Sequence, residues 1–113
     1  MKGADHYFAT GLDESPLVLV GAGPLGIANF FIYNNDSAAG FVQFFNAADI
    51  GDVTLGSTTP DFVVGIAATS WAQGQMCFPI MFTLGIVMAF ATTATGSGAT
   101  SSTAEVNLGL VRP

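Results

Sequence analysis

Apolar residues recur along the chain in short runs that are separated by clusters of Gly, Pro, Asn, Asp, Ser and Thr. In residues 104–111, Val106, Leu108 and Leu110 alternate with polar or small residues, which is the pattern of a strand with one solvated face. Patterns of this kind predict strands at residues 17–20, 27–33, 40–46, 53–56, 62–68, 75–80, 82–92 and 104–111. No amphipathic helix is indicated. The prediction is an all-β fold: a single β-sandwich or jelly-roll domain of about seven or eight short antiparallel strands, with residues 27–33 and 40–46 as neighbours.

The most apolar part of the chain is residues 76–92, and no charged residue occurs within residues 62–104. A helix that spans a bilayer needs about 20 apolar residues and basic flanks. The run at 76–92 is shorter, contains Pro79 and Gly85, and has no basic flank. We therefore expect no membrane partner, and we expect the two strands predicted in this run to pair with each other inside the sandwich.

Residues 1–16 mix acidic, polar and isolated aromatic residues without any period. They predict an extended N-terminal arm outside the core, and residues 17–113 then form the β-sandwich domain. Tyr7, Phe8 and Leu12 favour an arm that binds a partner, because a solvated tail has little use for three large apolar side chains. A frayed tail without a role is the alternative.

Charge is scarce on this chain. Only 9% of the residues are charged, and two basic residues stand against eight acidic ones. A chain without a basic patch cannot neutralise phosphates, so we expect no nucleic-acid partner. Most of the surface must consist of uncharged polar and small residues, which suits it to being covered by neighbouring chains. The residues after Lys2 do not form the apolar run of a secretory signal peptide, so none is expected.

Residues that could carry chemistry are scattered. Residues 21–26 match the G-x-G-x-x-G dinucleotide fingerprint, but the aromatic run that follows favours a strand over the helix that such a site needs. His6 has no converging partner. The sole cysteine, Cys77, lies in an apolar segment, so we expect a small buried residue and no intrachain disulfide. The prediction is a chain that is not an enzyme and has no catalytic residue, metal or cofactor.

Two further possibilities concern ligands at the surface. Asp49, Asp52 and Asp61 could supply oxygen ligands for Ca²⁺, but their spacing lacks the regular order of a calcium loop, and a solvated acidic turn is the simpler interpretation. Trp71 could stack on a sugar, but a single Trp near the start of a strand is more often a partly buried core or interface residue.

From residue 40 onward, the order of turns and strands resembles that of small phage virion proteins found beside capsid genes. The similarity involves residues 41–48 and 53–64, Phe78-Pro79 with residues 82–86, and the last strand at residues 106–108. It covers about two thirds of the chain. One difference is that residues 86–90 are wholly apolar where a more charged strand is expected.

The resemblance implies a structural virion protein, a capsid decoration (cement) protein that binds the outer capsid lattice and reinforces contacts between major capsid subunits. Its partners would be the major capsid protein or other virion proteins, and further copies of itself, most simply as a trimer. It would be made in the host cytoplasm and lie on the capsid surface. The alternative that this resemblance leaves open is a phage neck, tail or fibre component with a receptor- or carbohydrate-binding sandwich.

Overall fold

The computed structural model describes residues 4–15 and 17–113. The described residues form strands β1 Ala4–Leu12, β2 Val18–Ala22, β3 Leu25–Asn34, β4 Gly40–Asn46, β5 Phe62–Ile66, β6 Trp71–Phe82, β7 Gly85–Ala91 and β8 Ala104–Val111, and a short 3-10 helix, Ile50–Asp52. They build two four-stranded antiparallel sheets, the first in the order β1-β8-β3-β6 and the second in the order β2-β7-β4-β5. The predicted all-β sandwich of about eight strands is confirmed.

The strand pairing is that of a long hairpin coiled into two layers. β1 pairs with β8, β2 with β7, β3 with β6, and β4 with β5. Two further pairings, β3 with β8 and β4 with β7, join these couples into the two sheets. An eight-strand double sheet with this connectivity is a jelly roll. Most consecutive strands therefore lie in opposite sheets, and the residues of one surface come from distant parts of the chain.

The apolar run at residues 76–92 is extended, as predicted, but its two strands do not pair with each other. β6 is the edge strand beside β3 in the first sheet, whereas β7 lies between β2 and β4 in the second. The chain crosses between the sheets just before Gly85, whose φ of 142° suits glycine. The predicted pairing of residues 27–33 with 40–46 is wrong for the same reason, because β3 and β4 lie in different sheets.

The core lies between the sheets and has a smaller satellite on the outside of the second sheet. All seven residues of β7 are buried, since one face meets the core and the other meets the chain's own loops. The satellite consists of Phe45, Ala47, Val53 and Val87. Val53 reaches the satellite from the turn after the 3-10 helix. The strand predicted at residues 53–56 is therefore wrong, although Val53 is buried.

The described part of the predicted N-terminal arm belongs to the sandwich. β1 pairs with β8 from Ala4 opposite Val111 to Leu12 opposite Ala104. An extended segment next to a sheet edge gains backbone hydrogen bonds when it joins the sheet. Because residues 4–12 lack a regular alternation of apolar and polar residues, their sequence does not indicate a strand. The prediction that the arm lies outside the core is therefore corrected for residues 4–12. Residues 1–3 and Pro16, which that prediction also included, lie outside the described residues.

Candidate functional site

The outer faces of the two sheets differ. On the outer face of the second sheet, the central strand β4 is covered by the chain's own loops, since Phe45 is 1% exposed and Gln43 is 0% exposed, whereas Leu19 on the edge strand β2 is 40% exposed. The Gln43 side-chain nitrogen donates to the carbonyls of Thr93 and Gly96, both at 3.0 Å, and so ties down the loop after β7. Among residues 4–15 and 17–113, no loop covers the first sheet in this way, and Phe8, Phe31 and Trp71 are exposed on its outer face. This uncovered face is the candidate functional surface.

Strand register arranges the uncovered face in three rows that run across the strands. The central row is Phe8, Asn107, Phe31 and Gln73. On one side of it lies the aromatic row of Glu105, Tyr33 and Trp71. On the other side lies the groove row of His6, Gly109, Asn29 and Gln75. Neighbouring outward positions on a strand are two residues apart, so the two flanking rows lie at about the same distance, roughly 7 Å, from the central row.

A shallow groove of about 670 Å³ lies between the groove row and the central row and is lined by His6, Asn29, Phe30, Phe31, Gln73, Gly74, Gln75 and Asn107. Gly74 contributes only backbone atoms to this lining. The amide of Asn29 lies over Gly109, where an added β-carbon would be 2.5 Å from Asn29 Oδ1. Within the described part of the chain, the side chains of Asn29, Gln73, Gln75 and Asn107 form no hydrogen bond. Their donors and acceptors are available to whatever covers the face.

The aromatic row is a ridge beside this groove. Trp71 and Phe31 are stacked with ring centroids 5.1 Å apart and an angle of 18° between their planes. Trp71 is 53% exposed, so its indole presents a large apolar surface while the contact with Phe31 holds its orientation. Trp71 does not line the groove. Trp71 is therefore free to contact another molecule. Stacking of its ring on a sugar, which the sequence suggested, stays a prediction.

A second exposed feature, the apolar corner, consists of Phe78, Pro79 and Met81 on β6 and of Val111 at the end of β8. A β-carbon on Gly26 would lie 2.5 Å from Met81 Sδ, 3.0 Å from Val111 Cγ2 and 3.1 Å from Pro79 Cβ. These three side chains therefore converge over Gly26, and Phe78 beside them is 85% exposed.

A bulge in β6 produces the apolar corner. Ile27 pairs with Ile80, whereas Asn29 pairs with Gln75, so residues 76–79 oppose a single residue of β3. The extra residues bend away from the sheet. Cys77 lies in this bulge and is exposed. The prediction of a buried cysteine is therefore wrong, since composition cannot show that an apolar strand leaves the register of its neighbour.

Of the three residues predicted to bind a partner, only Phe8 is well exposed. Phe8 lies in the central row and is 52% exposed. Tyr7 packs against the core, and its burial raises the pKa of its hydroxyl above the ordinary value of 10.0. Leu12 is 1% exposed and is a core residue, so its assignment to a partner surface is corrected. Alternation along β1 separates Phe8 from Tyr7.

Other candidate ligands from the sequence do not converge. Asp49 caps the 3-10 helix, and Asp61 accepts a hydrogen bond from the Asn46 backbone N–H at 2.7 Å. Among the described residues, no group of three or more His, Cys, Asp or Glu side chains could hold a metal ion. The glycine motif at residues 21–26 runs from β2 through a turn into β3, so a strand stands where a dinucleotide site needs a helix.

The sequence analysis missed a buried carboxylate. Asp36 is 2% exposed and lies in the turn between β3 and β4. It accepts hydrogen bonds from the backbones of Ser101, Ser102 and Ala38 and from the Ser101 hydroxyl. That hydroxyl is the main cause that holds the pKa of Asp36 below its ordinary value of 3.8, while burial opposes the shift. The turn and a loop at residues 93–103 could be predicted from the sequence, but the contact between them, across about 65 residues of chain, could not.

No helix among the described residues is long and apolar enough to cross a membrane.

No family model and no curated protein matches this sequence. Among solved structures, the chain is similar to a structure of Bacillus endospore appendages, described as a novel family of disulfide-linked pili, with a TM-score of 0.51 and 10% sequence identity over 95% of this chain and 83% of that chain. It is also similar to a crystal structure of PirA, with a TM-score of 0.40 and 10% identity over 94% of this chain and 84% of that chain. The first similarity establishes a shared fold. The second is too distant to carry an argument.

These findings correct the expectation of a phage protein. The matching fold occurs in a bacterial appendage described as a family of disulfide-linked pili. The interpretation as a capsid decoration (cement) protein is therefore wrong, and so is its alternative of a phage neck, tail or fibre component. The resemblance rested on turn and strand signatures, which small β-sandwiches share because their hairpins and edges obey the same steric rules.

Proposed function

We propose that this chain is a structural subunit that assembles with copies of itself into a pilus-like appendage. The observation that carries the proposal is the apolar corner on β6, where Phe78 is 85% and Met81 47% exposed. An exposed group of large apolar side chains on a small domain is typical of an interaction surface. Burial of these side chains against a neighbouring subunit would remove them from water and drive association.

The position of the corner suits repeated contacts. β6 is an edge strand of the first sheet, and an edge strand presents unpaired backbone groups that can bind another chain. None of the four residues of the corner is charged, so neighbouring copies meet there without like-charge repulsion. The scarcity of charge along the whole chain, 9% of residues, has the same consequence for other contacts in an assembly.

The shared fold adds support. A similar fold, matched over 95% of this chain with a TM-score of 0.51, occurs in endospore appendages described as disulfide-linked pili. That similarity shows that this architecture can serve as a pilus subunit. The proposal for this chain rests on its own exposed corner, and the trimer expected from the sequence stays an untested prediction.

Negative-stain electron microscopy and sedimentation velocity of the purified chain test the proposal. We expect filaments, or a distribution of oligomers that grows with concentration and has no closed upper size. The variant Phe78→Asp places a charge in the corner and should abolish growth. Ile50→Asp is the matched control, because Ile50 is 40% exposed and lies outside the corner. A wild-type chain that stays monomeric up to millimolar concentration, or filaments unaffected by Phe78→Asp, would overturn the proposal.

A further inference from the structure

The uncovered face of the first sheet has a shape that matches itself. In the aromatic row, Trp71 is 53% exposed and forms a ridge, and His6, Asn29 and Gln75 of the groove row line a depression. The aromatic row and the groove row lie on opposite sides of the central row at about the same distance, roughly 7 Å. A second copy turned by 180° about the central row would therefore place its ridge in the groove of the first copy.

We propose that two copies of this chain pack through the outer faces of their first sheets, related by a two-fold axis that runs along the central row. The inference rests on the proposed self-assembly and names a second contact besides the apolar corner. Each strand then lies over the same strand of the second copy and runs in the opposite direction. Sheets that stack in this way keep their strand directions within about 30° of each other and lie about 10 Å apart.

The register gives the facing pairs across this interface. Trp71 lies over Gln75 of the second copy, and Tyr33 lies over Asn29 of the second copy. Each pair sets an aromatic ring of the aromatic row against an amide that lines the groove. The amides in the groove have no hydrogen-bond partner in the described part of their own chain, and the Tyr33 hydroxyl can both donate to and accept from them.

The positions of the charged side chains agree with a two-fold axis along the central row. Glu105 lies over Gly109 of the second copy, where there is no side chain to oppose it and where the Asn29 amide is within reach. The neighbouring position on the next strand is His6 of the second copy. No two carboxylates of the three rows face each other, and Glu105 is the sole carboxylate in them.

An axis parallel to the strands gives a poorer match. Such a rotation places each row over the same row of the second copy, so ridge would meet ridge and groove would meet groove. Two facing grooves of about 670 Å³ each would remain as a void, and unfilled space between protein surfaces forfeits van der Waals contacts. The axis along the central row is therefore the arrangement that the face supports.

Residues of the central row face their own copies across the axis, and this makes a specific test possible. Asn107→Glu sets two carboxylates against each other, and Asn107→Lys sets two ammonium groups against each other. Each variant alone should dimerise at least about 100-fold more weakly. An equimolar mixture of the two should restore the dimer, because Glu then faces Lys. Asn35→Glu and Asn35→Lys are the controls, since Asn35 is exposed in the β3–β4 turn, outside the three rows.

Sedimentation equilibrium in the Phe78→Asp background separates this dimer from filament growth, and circular dichroism confirms that each variant is folded. Dimers in this background that single Asn107 variants lose and the mixture regains would support the inference. Two results would overturn the inference and leave the proposed function standing. The first is dimerisation that is equally strong in the Asn107 variants and in the chain with Asn107. The second is a Phe78→Asp chain that is strictly monomeric although the wild-type chain forms filaments. A wild-type chain that dimerises but never forms larger oligomers would overturn the proposed function alone.

Discussion

Asp36 holds Ser101 through both oxygens of its carboxylate. Asp36 Oδ2 accepts from the Ser101 backbone N–H at 2.7 Å, and Asp36 Oδ1 accepts from the Ser101 hydroxyl at 2.8 Å. The backbone carbonyl of Asp36 also accepts from the Thr69 N–H at 2.9 Å. One residue therefore joins three connections at the same end of the sandwich: the β3–β4 turn, the β5–β6 turn and the β7–β8 loop.

Asp36→Asn should destabilise the fold. The amide keeps the size of the side chain, but one acceptor oxygen becomes a donor that faces the N–H groups of the loop, so buried hydrogen bonds are lost. We expect a clear fall in melting temperature, measured by circular dichroism at pH 7. Asp49→Asn, at an exposed carboxylate whose bond to Gly51 N–H is 3.5 Å long, should leave the melting temperature unchanged. Equal melting temperatures for the two variants would contradict the role assigned to Asp36.

The contribution of Asp36 should also depend on pH. Its pKa in the folded chain lies below the ordinary value of 3.8, so folding favours the ionised form. The resulting stability is fully present above the unfolded-state pKa and is lost as the pH falls through the folded-state pKa. The difference in melting temperature between the wild type and Asp36→Asn should be constant above about pH 5 and shrink toward pH 3. If this difference in melting temperature grew as the pH fell, folding would not favour the ionised form of Asp36.

Gly85→Ala should disrupt the crossing between the two sheets. Gly85 has a φ of 142°, and an added β-carbon would lie 2.5 Å from the Gly21 carbonyl oxygen and 2.7 Å from that of Ala47. Backbone atoms cannot move aside as a flexible side chain can, so the unfolding free energy should fall by at least about 2 kcal/mol. Urea denaturation measures the change. Gly51→Ala is the control, because nothing lies within 4 Å of its added β-carbon, and similar losses for both would refute the explanation.

Gln43→Glu should release the loop after β7. The Gln43 amide is 0% exposed and gives its two side-chain protons to the carbonyls of Thr93 and Gly96. A buried carboxylate would face those oxygens without any donor, so we expect a loss of at least about 3 kcal/mol at pH 7. Limited proteolysis should cut near Ser97 in this variant first. The same change at the exposed Gln75 should alter stability by less than about 0.5 kcal/mol.

Cys77 should react readily in the folded chain. Its exposure in the β6 bulge predicts that a thiol reagent such as Ellman's reagent modifies one thiol per chain without denaturant. Because Cys77 is next to Phe78, assembled material should react more slowly than the Phe78→Asp variant. A thiol that reacts only after unfolding would contradict the exposed bulge.

Much of the fold could be predicted from the sequence because strand formation is a local property. A strand with alternating apolar residues, such as residues 104–111, requires one buried face whichever sheet it joins. The same holds for the β-branched and aromatic runs at residues 27–33 and 40–46. Pairing is different, since it depends on which edges are available and on how connections cross between layers. Residues 76–92 illustrate this: their extended backbone was predicted, whereas their separation into two sheets depends on Gly85 and on the strands already at each edge.

The candidate surfaces required three-dimensional information for the same reason. Phe8, Asn107, Phe31 and Gln73 come from four strands spread over most of the chain, so no local pattern could place them in one row. The apolar corner depends on a bulge, which composition does not reveal.

By itself, the sequence determined that this chain is an all-β domain with a nearly uncharged surface, because side-chain alternation and composition act residue by residue. The tertiary structure alone decided which apolar side chains stay exposed, because exposure depends on coverage by other segments. The loops after β4 and β7 cover the central strands of the second sheet, and within the described residues the first sheet has no such cover.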